Sequence, residues 1–298
     1  MSPTIAGAAL DHVAVAVEHW SDAWPRYAVE LGGTWSSGGL NIGFGPAQLS
    51  YANGGRVEVL QPWQPDDNPF LRRFLDRHGP GPHHLTFKVP DLAAAITEAR
   101  GVGLAPVGVD LTNADWKEAF LHPRQATGIV VQLAQATYAW ESPPPEGFPT
   151  ARRDPPASLV RVTHAVADLE EGLGLFEVLL GGRRVAHGPG PDGTWEYVDL
   201  AWAGPPVIRV IAPTSGAGGR PSGDDTPLRS WLRGLSGRLH HVAFALPGAP
   251  DRRDTLGADP SSAVPGLLPT DTPARVIEPQ DNLGTRLVLV RPDAGWDG

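Results

Sequence analysis

One repeated figure constrains this chain more than any other feature: a short alternating strand with a histidine at its head. LDHVAVAV, residues 10–17, sets His12 ahead of a Val/Ala alternation, and HHLTFKV, residues 83–89, returns the figure with His84 in the place of His12. Period-two alternation marks a half-buried strand, in which every second side chain faces the same way. Copies of such a unit have to pair or stack, because one copy cannot bury its own apolar face.

The segments downstream of each strand are repeated as well. After the first, Ser21 opens DAWPRYAVEL, with Trp24, Tyr27, Ala28 and Leu31 at helical spacing and Gly32-Gly33 as the stop. Pro25 lies close enough to the start to be tolerated, or else kinks the helix. Residues 34–62 read as three strands broken by turns around 37–40, at Gly45-Pro46 and at Asn53-Gly54-Gly55, and the last strand, RVEVLQP, places Glu58 among valines. PFLRRFLDRHG reads as a connecting helix. After the second histidine strand, Asp91 caps LAAAITEARGVG, and strands are expected near 104–110, 115–122 and 127–134. The interval from His12 to Glu58 nearly equals that from His84 to Gln132, so each unit offers one polar group on its first strand and one on its last.

Residues 139–158, AWESPPPEGFPTARRDPPAS, are proline-rich and without periodicity, as a semi-rigid linker is. Beyond them SLVRVTHAVADLEEGLGLFEVLLGG, PPVIRVIAPT and LRSWLRGLSGRLHHVAFAL repeat the first half in outline. The expected organisation is a domain over 7–138, a linker over 139–158 and a second domain over 159–294. The fourth unit's helix falls in the Pro/Gly/Asp-rich stretch 246–271 and is expected to be short or distorted.

Composition removes several kinds of chemistry. With no cysteine there are no disulfides and no thiolate nucleophiles or ligands, so a transition metal has to be held by His, carboxylate or amide groups. A net charge of -9, without a basic stripe, argues against nucleic acid and anionic membranes as partners and for a small molecule. The opening MSPTIAGAAL carries no basic segment followed by an apolar core, so a cytoplasmic location is expected.

LDHVAVAV, FLRRFLDRHGPGPHHLTFKVPDL and AFLHPRQATGIVVQLAQ resemble the vicinal oxygen chelate superfamily, which takes in glyoxalases, bleomycin resistance proteins and extradiol dioxygenases. The N-terminal half is most similar to methylmalonyl-CoA epimerases. The resemblance covers residues 8–136, with a fainter copy over 158–292. It implies an α+β fold of two tandem domains, each a pair of βαβββ modules forming a cup-shaped sheet. It also implies that the first and last strands of each module send side chains to one divalent metal, here His12, Glu58, His84 and Gln132. Two imidazoles, a carboxylate and an amide oxygen suit Co, Ni, Mn, Fe or Zn. The alternative for each residue is a polar group satisfied in a barrel interior. His83, of opposite strand parity to His84, is read as a supporting or surface group, and His122 in the LHP turn as structural.

Departures from the epimerase pattern bear on the reaction. The resemblance puts one catalytic glutamate on the second strand and a second, also a ligand, on the last; these positions fall on Asn41, read as substrate-binding, and on Gln132. An amide has no usable protonation change near neutral pH, which leaves Glu58 as the candidate catalytic carboxylate. Three functions are compatible with this set. The first is a metal-dependent isomerase, epimerase or lyase that stabilises an enolate of a carbonyl or vicinal-oxygen compound. The second is a non-haem Fe(II) dioxygenase, since His12, His84 and Glu58 are two histidines and a carboxylate, although such relatives draw the carboxylate from the last strand. The third is a non-catalytic binding or resistance protein in which some of the 10 tryptophans stack on a flat ligand. In the second half the equivalent positions are Arg161, Arg209, His241 and Val288, which cannot bind a cation; Arg161, Arg209 and His241 are a possible anion site unless buried acids compensate the arginines. The second half is expected to stand in for the other subunit of a dimer, leaving a monomer or a homodimer.

Overall fold

Alternation becomes sheet, and the parity of each strand decides what it buries. The computed structural model describes residues 3–137, 141–214, 226–247, 264–268 and 273–291. In the first half, β1 (Ala9–Ala16) leads into α1 (Trp20–Ala23), then β2 (Thr34–Gly38), β3 (Gly43–Ser50) and β4 (Arg56–Trp63). A second module comes after α2 (Phe70–His78): β5 (Gly81–Lys88), α3 (Leu92–Gly101), β6 (Val107–Asp110), β7 (Trp116–Leu121) and β8 (Val130–Ala136). These eight strands form one open mixed sheet in the order β2-β3-β4-β1-β5-β8-β7-β6. The two modules meet at the antiparallel β1/β5 seam, and each closes on itself by a parallel pair, β1 with β4 and β5 with β8.

The second half repeats this with β9 (Ser158–Val166), α4 (Leu169–Leu173), β10 (Arg183–Pro189), β11 (Trp195–Trp202), β12 (Gly204–Pro213), α5 (Pro227–Leu232), β13 (Gly237–Ala245), β14 (Pro273–Ile277) and β15 (Leu287–Val290). Its order is β10-β11-β12-β9-β13-β15-β14, seven strands among the described residues. Neither sheet is a closed barrel. Of the stretch 246–271, only 246–247 and 264–268 are described, so the helix expected there lies outside the described residues. No helix among the described residues is long and apolar enough to cross a membrane.

The helix after β1 starts one residue earlier than Ser21, with the backbone N–H of His19 donating to Asp22 Oδ2 at 3.1 Å. It continues as a wide π turn over Trp24–Glu30, closed by Leu31 N–H to Arg26 O. The same wide turn extends α4 at Gly174–Leu179, closed by Leu180 N–H to Leu175 O, where there is no proline. The distortion therefore belongs to the repeated unit rather than to Pro25. Asp91 caps α3 by accepting from Ala94 N–H, as its position predicts.

Strand parity sorts the core. Val13, Val15, Val57, Val59, Leu85, Phe87, Val131 and Leu133 join a single apolar cluster that runs on into Val162, Ile208, Val210, Val242 and Leu287 of the second sheet. The opposite, concave face of the first sheet has its own smaller cluster, where Leu71 and Leu75 of α2 sit on Ala14, Ala16 and Leu60. α5 covers the second sheet in the same way, with Leu228 and Leu232 on Ala165 and Ile211.

The halves are locked by reciprocal contacts. A Cβ added at Gly128, in the turn before β8, would lie 1.7 Å from Gly237 O at the head of β13; one added at Gly284, in the turn before β15, would lie 1.8 Å from Pro80 O, beside the head of β5. The same pair of sites is thus used twice with the halves exchanged, as in an isologous dimer. Asn53 adds a two-way bond to the Leu159 backbone at 2.8 and 3.2 Å, and His164 Nε2 donates to Thr127 O at 2.8 Å. The proline-rich stretch is not loose where it is described: Ser142 bonds Gly38, Arg153 bonds Glu30 O, and Phe148 packs edge-on against Trp24 and Trp35.

Candidate metal centre

Two bulges shape the centre. Along the β1/β5 ladder Leu10 faces Phe87 and His12 faces Thr86, so Asp11 is an extra residue; Ala14 faces His84 and Val15 faces Pro82, so His83 is another. Neighbours in a regular strand point to opposite faces, but a bulge turns the extra side chain toward the residue beside it. Asp11 Oδ2 accepts from His12 Nδ1 at 2.8 Å, and the Nδ1 atoms of His83 and His84 meet at 2.8 Å. The parity argument for His83 is overridden by the bulge: its ring, packed on Phe70 and Phe74, supports His84. His122 is exposed in its turn, where Nδ1 accepts from Arg124 N–H.

With each Nδ1 engaged, both Nε2 atoms turn inward. His12 Nε2 and His84 Nε2 each lie 3.6 Å from the same oxygen, Glu58 Oε2. Ligand atoms of the three residues all lie within 4.8 Å of one another, and the residues are buried. Gln48 on β3, directly opposite Glu58, donates to Glu58 Oε1 at 3.3 Å. Thr86 ties the fourth position in: its hydroxyl donates to Gln132 Oε1 at 2.6 Å and lies 2.9 Å from His12 Nε2, while Gln132 Nε2 donates to Glu118 Oε2 at 2.8 Å. Arg56 holds Asp11 from behind at 3.1 Å.

Protonation reflects these contacts. Burial disfavours the His12 imidazolium, but the carboxylates of Glu58 and Asp11 on either side outweigh it and raise the group to about 9. Burial likewise disfavours the Glu58 carboxylate, and the adjacent His12 and His84 outweigh it, bringing the group down to about 2. His84 is pushed well below its usual value by burial and by His83 beside it. A neutral imidazole thus faces a carboxylate, and His84 Nε2, fully buried, has no hydrogen-bond partner among the described residues. An orphaned nitrogen 3.6 Å from a carboxylate oxygen is the arrangement that a shared cation would satisfy, so the residues present fit a divalent metal.

Of the predicted residues, His12, Glu58, His84 and Gln132 are brought together. Asn41 is not: it is exposed in the β2–β3 turn, in an isolated bridge with Phe44, because counting along β-strands does not anticipate where a hairpin turns. Gln48 occupies the third-strand place beside Glu58 instead. Asp11, Gln48, Thr86 and Glu118 were not anticipated; only the side-by-side Asp11-His12 and His83-His84 pairs carried a trace of the pattern in sequence.

The second sheet keeps the register and changes the chemistry. Ala243 faces Arg161 and Val288 as Thr86 faces His12 and Gln132, and Arg209 pairs with Thr163 as Glu58 pairs with Ala14. Arg209 makes two 2.6 Å bonds to Asp199, which stands opposite it as Gln48 stands opposite Glu58, and donates to Gly266 O at 2.7 Å. The guanidinium is therefore answered from within the chain. Arg161 and His241 are wholly buried, and His241 Nε2 lies 3.0 Å from Thr163 Oγ1. Val264 and Leu267 pack on Val160, Ala243, Ala245 and Val288, so the chain itself fills much of this concave face.

Residues 11–120 match the profile of a family described as the glyoxalase/bleomycin resistance protein/dioxygenase superfamily. Among solved structures, a triple mutant of 4-hydroxymandelate synthase from Streptomyces coelicolor is similar at 18% identity, over 83% of this chain and 72% of that one, with a TM-score of 0.57. Methylmalonyl-CoA epimerase from Mycobacterium tuberculosis is similar at 27% identity, over 44% of this chain and 89% of its own, with a TM-score of 0.40. A hypothetical protein from Bacillus halodurans C-125 is similar at 24% identity over 45% and 99%, also with a TM-score of 0.40. No curated protein matches the chain. The synthase likeness extends over both halves and bears on the fold alone.

Proposed function

Residues 11–120 match the glyoxalase/bleomycin resistance protein/dioxygenase superfamily, and from that premise we propose that the concave face of the first sheet is the active site of a divalent-metal-dependent isomerase, epimerase or lyase. Its substrate class is a small carbonyl or vicinal-oxygen compound. The observation that carries this reading is the convergence of two imidazole Nε2 atoms on one Glu58 oxygen, with each Nδ1 engaged elsewhere. A divalent ion, when bound, would supply Lewis acidity toward a carbonyl oxygen. His12, His84 and Glu58 would hold it, and Asp11 keeps the His12 ring in the orientation that turns Nε2 toward Glu58. Glu58 Oε2 is shared between the histidines. Oε1, which accepts from Gln48 at 3.3 Å and is not shared between the histidines, is the oxygen we assign to accept a proton.

The test is isotopic. Metal-reconstituted protein, incubated in D2O with a panel of 2-oxo acids and acyl thioesters, is expected to exchange deuterium at the carbon beside the carbonyl, and the metal-stripped protein is not. Equal exchange with and without metal, or none across the panel, removes the reading.

A second reading is supported by the ligand types themselves. Two histidines and one carboxylate are the set that non-haem Fe(II) oxygenases use. Anaerobic loading with Fe(II), followed by oxygen-uptake measurement with catechols and 2-oxo acids, separates the two; no uptake leaves the isomerase or lyase reading. A sequestering cup lined by tryptophans draws no support from Trp20, Trp24 and Trp35, which pack on one another in or against the apolar cluster behind the sheet, with Trp20 Nε1 bonded to Gly45 O.

A further inference from the structure

We propose that Glu118 is a positioning residue that decides which end of the Gln132 amide faces the histidine pair, so that Gln132 offers oxygen rather than nitrogen to a cation. This rests on the metal reading above and adds to it a residue on β7 that the four-ligand pattern does not contain.

A carboxamide has two ends of nearly the same size and opposite chemistry: the oxygen can ligate a divalent ion, whereas the NH2 group carries two donors and repels one. Steric fit does not choose between them. Polar neighbours do, and here they form an unbroken chain. Trp116 Nε1, which can only donate, bonds Glu118 Oε2 at 2.9 Å. The same carboxylate oxygen, which can only accept, lies 2.8 Å from the Gln132 amide, so the atom facing it has to be Nε2. Oε1 then points the other way, to the Thr86 hydroxyl at 2.6 Å, and that hydroxyl is itself 2.9 Å from His12 Nε2. Turning the amide over would set its carbonyl against the carboxylate and its NH2 against the pocket.

Strand register makes the arrangement possible. Gln132 faces Phe120 and Ala134 faces Glu118, so Glu118 is the diagonal neighbour of Gln132 on the same sheet face, within reach of a long side chain. Lys88, two residues beyond Thr86, lays its ammonium 4.1 Å over the Trp116 ring and holds the indole whose N–H fixes Glu118. In the second sheet the places of Thr86 and Gln132 are taken by Ala243 and Val288, so neither the amide nor its hydroxyl partner is present there.

The test is a double-mutant cycle read by Co(II) affinity. Metal-stripped full-length protein is titrated with Co(II) by calorimetry and by visible absorption, with circular dichroism to verify folding. Glu118→Gln keeps the size of the side chain and lets the amide at 132 turn over; it is expected to weaken Co(II) binding about tenfold, the lower end of what losing an outer-shell partner costs. In a Gln132→Glu background the ligand has two equivalent oxygens and no orientation to set, and Glu118→Gln removes the like charge beside it, so no loss of affinity is expected there. Unchanged affinity on Glu118→Gln, or an equal loss in both backgrounds, overturns the positioning role while leaving the metal site standing. Absence of Co(II) binding in the unsubstituted protein, or binding indifferent to Glu58→Ala, overturns the metal reading and this inference with it.

Discussion

Gly128→Ala tests whether the two halves are locked as the backbone contacts require. Gly128 has φ +82°, where a side chain is strained by roughly 1–2 kcal/mol. Its added Cβ would also stand 1.7 Å from Gly237 O, and reaching even 3.0 Å requires the turn and the head of β13 to part by about 1.3 Å. The obstacle is main chain of the opposite half, anchored in a strand, and not a flexible side chain. Overpacking of that kind adds roughly 1–3 kcal/mol. Gly54→Ala is the matched control: φ is +84°, but nothing lies within 4 Å of the added Cβ, so only the backbone strain applies. Scanning calorimetry of both variants is expected to show Gly128→Ala melting about 2–12 °C below Gly54→Ala, since 1 kcal/mol corresponds to about 2–4 °C in a large domain. Equal melting temperatures would refute the claim that the halves meet backbone to backbone at this turn.

Two further outcomes concern buried charge. Arg209→Met leaves Asp199 buried without its bidentate partner, which is expected to cost about 3–5 kcal/mol in urea unfolding; adding Asp199→Leu should recover most of it, and a double variant no better than the single contradicts the pairing. His164, which burial brings down to about 4 from an ordinary 6.5, takes up a proton more readily in the unfolded chain. Its contribution is therefore complete above pH 6.5, declines as pH falls from 6.5 to 4 and is flat below, a loss of roughly 3 kcal/mol. Unfolding midpoints at about pH 7.5 and about pH 4.5, either side of most of that window, should differ less in His164→Gln than in the parent, and identical differences would rule this out.

Much of the architecture was legible because strand parity and module spacing are strong signals. His12, Glu58, His84 and Gln132 lie at equivalent positions of a repeated unit, and the ladder registers carry them to one place. The registers of the second sheet set Arg161, Arg209, His241 and Val288 at the equivalent positions. What failed to show was anything that depends on a bulge, a turn or a cross-strand neighbour. Asn41 was reached by counting along strands, yet the β2–β3 hairpin turns before that residue can enter the sheet face, and Gln48 stands at Glu58 instead. Asp199, which neutralises Arg209, comes from a neighbouring strand ten residues away, and only the register reveals it. Asp11 and His83 act on the histidines next to them because extra residues interrupt the alternation that sequence reading assumes.

His12, Glu58 and His84 are proposed to hold a divalent cation. Elemental analysis of the protein as purified, and again after loading and exhaustive dialysis, tests it most directly when Glu58→Ala is carried alongside. A stoichiometric divalent metal is expected in the parent, lost in Glu58→Ala with the circular dichroism spectrum unchanged. A parent that retains no metal after loading, or a variant that retains as much as the parent, would contradict it.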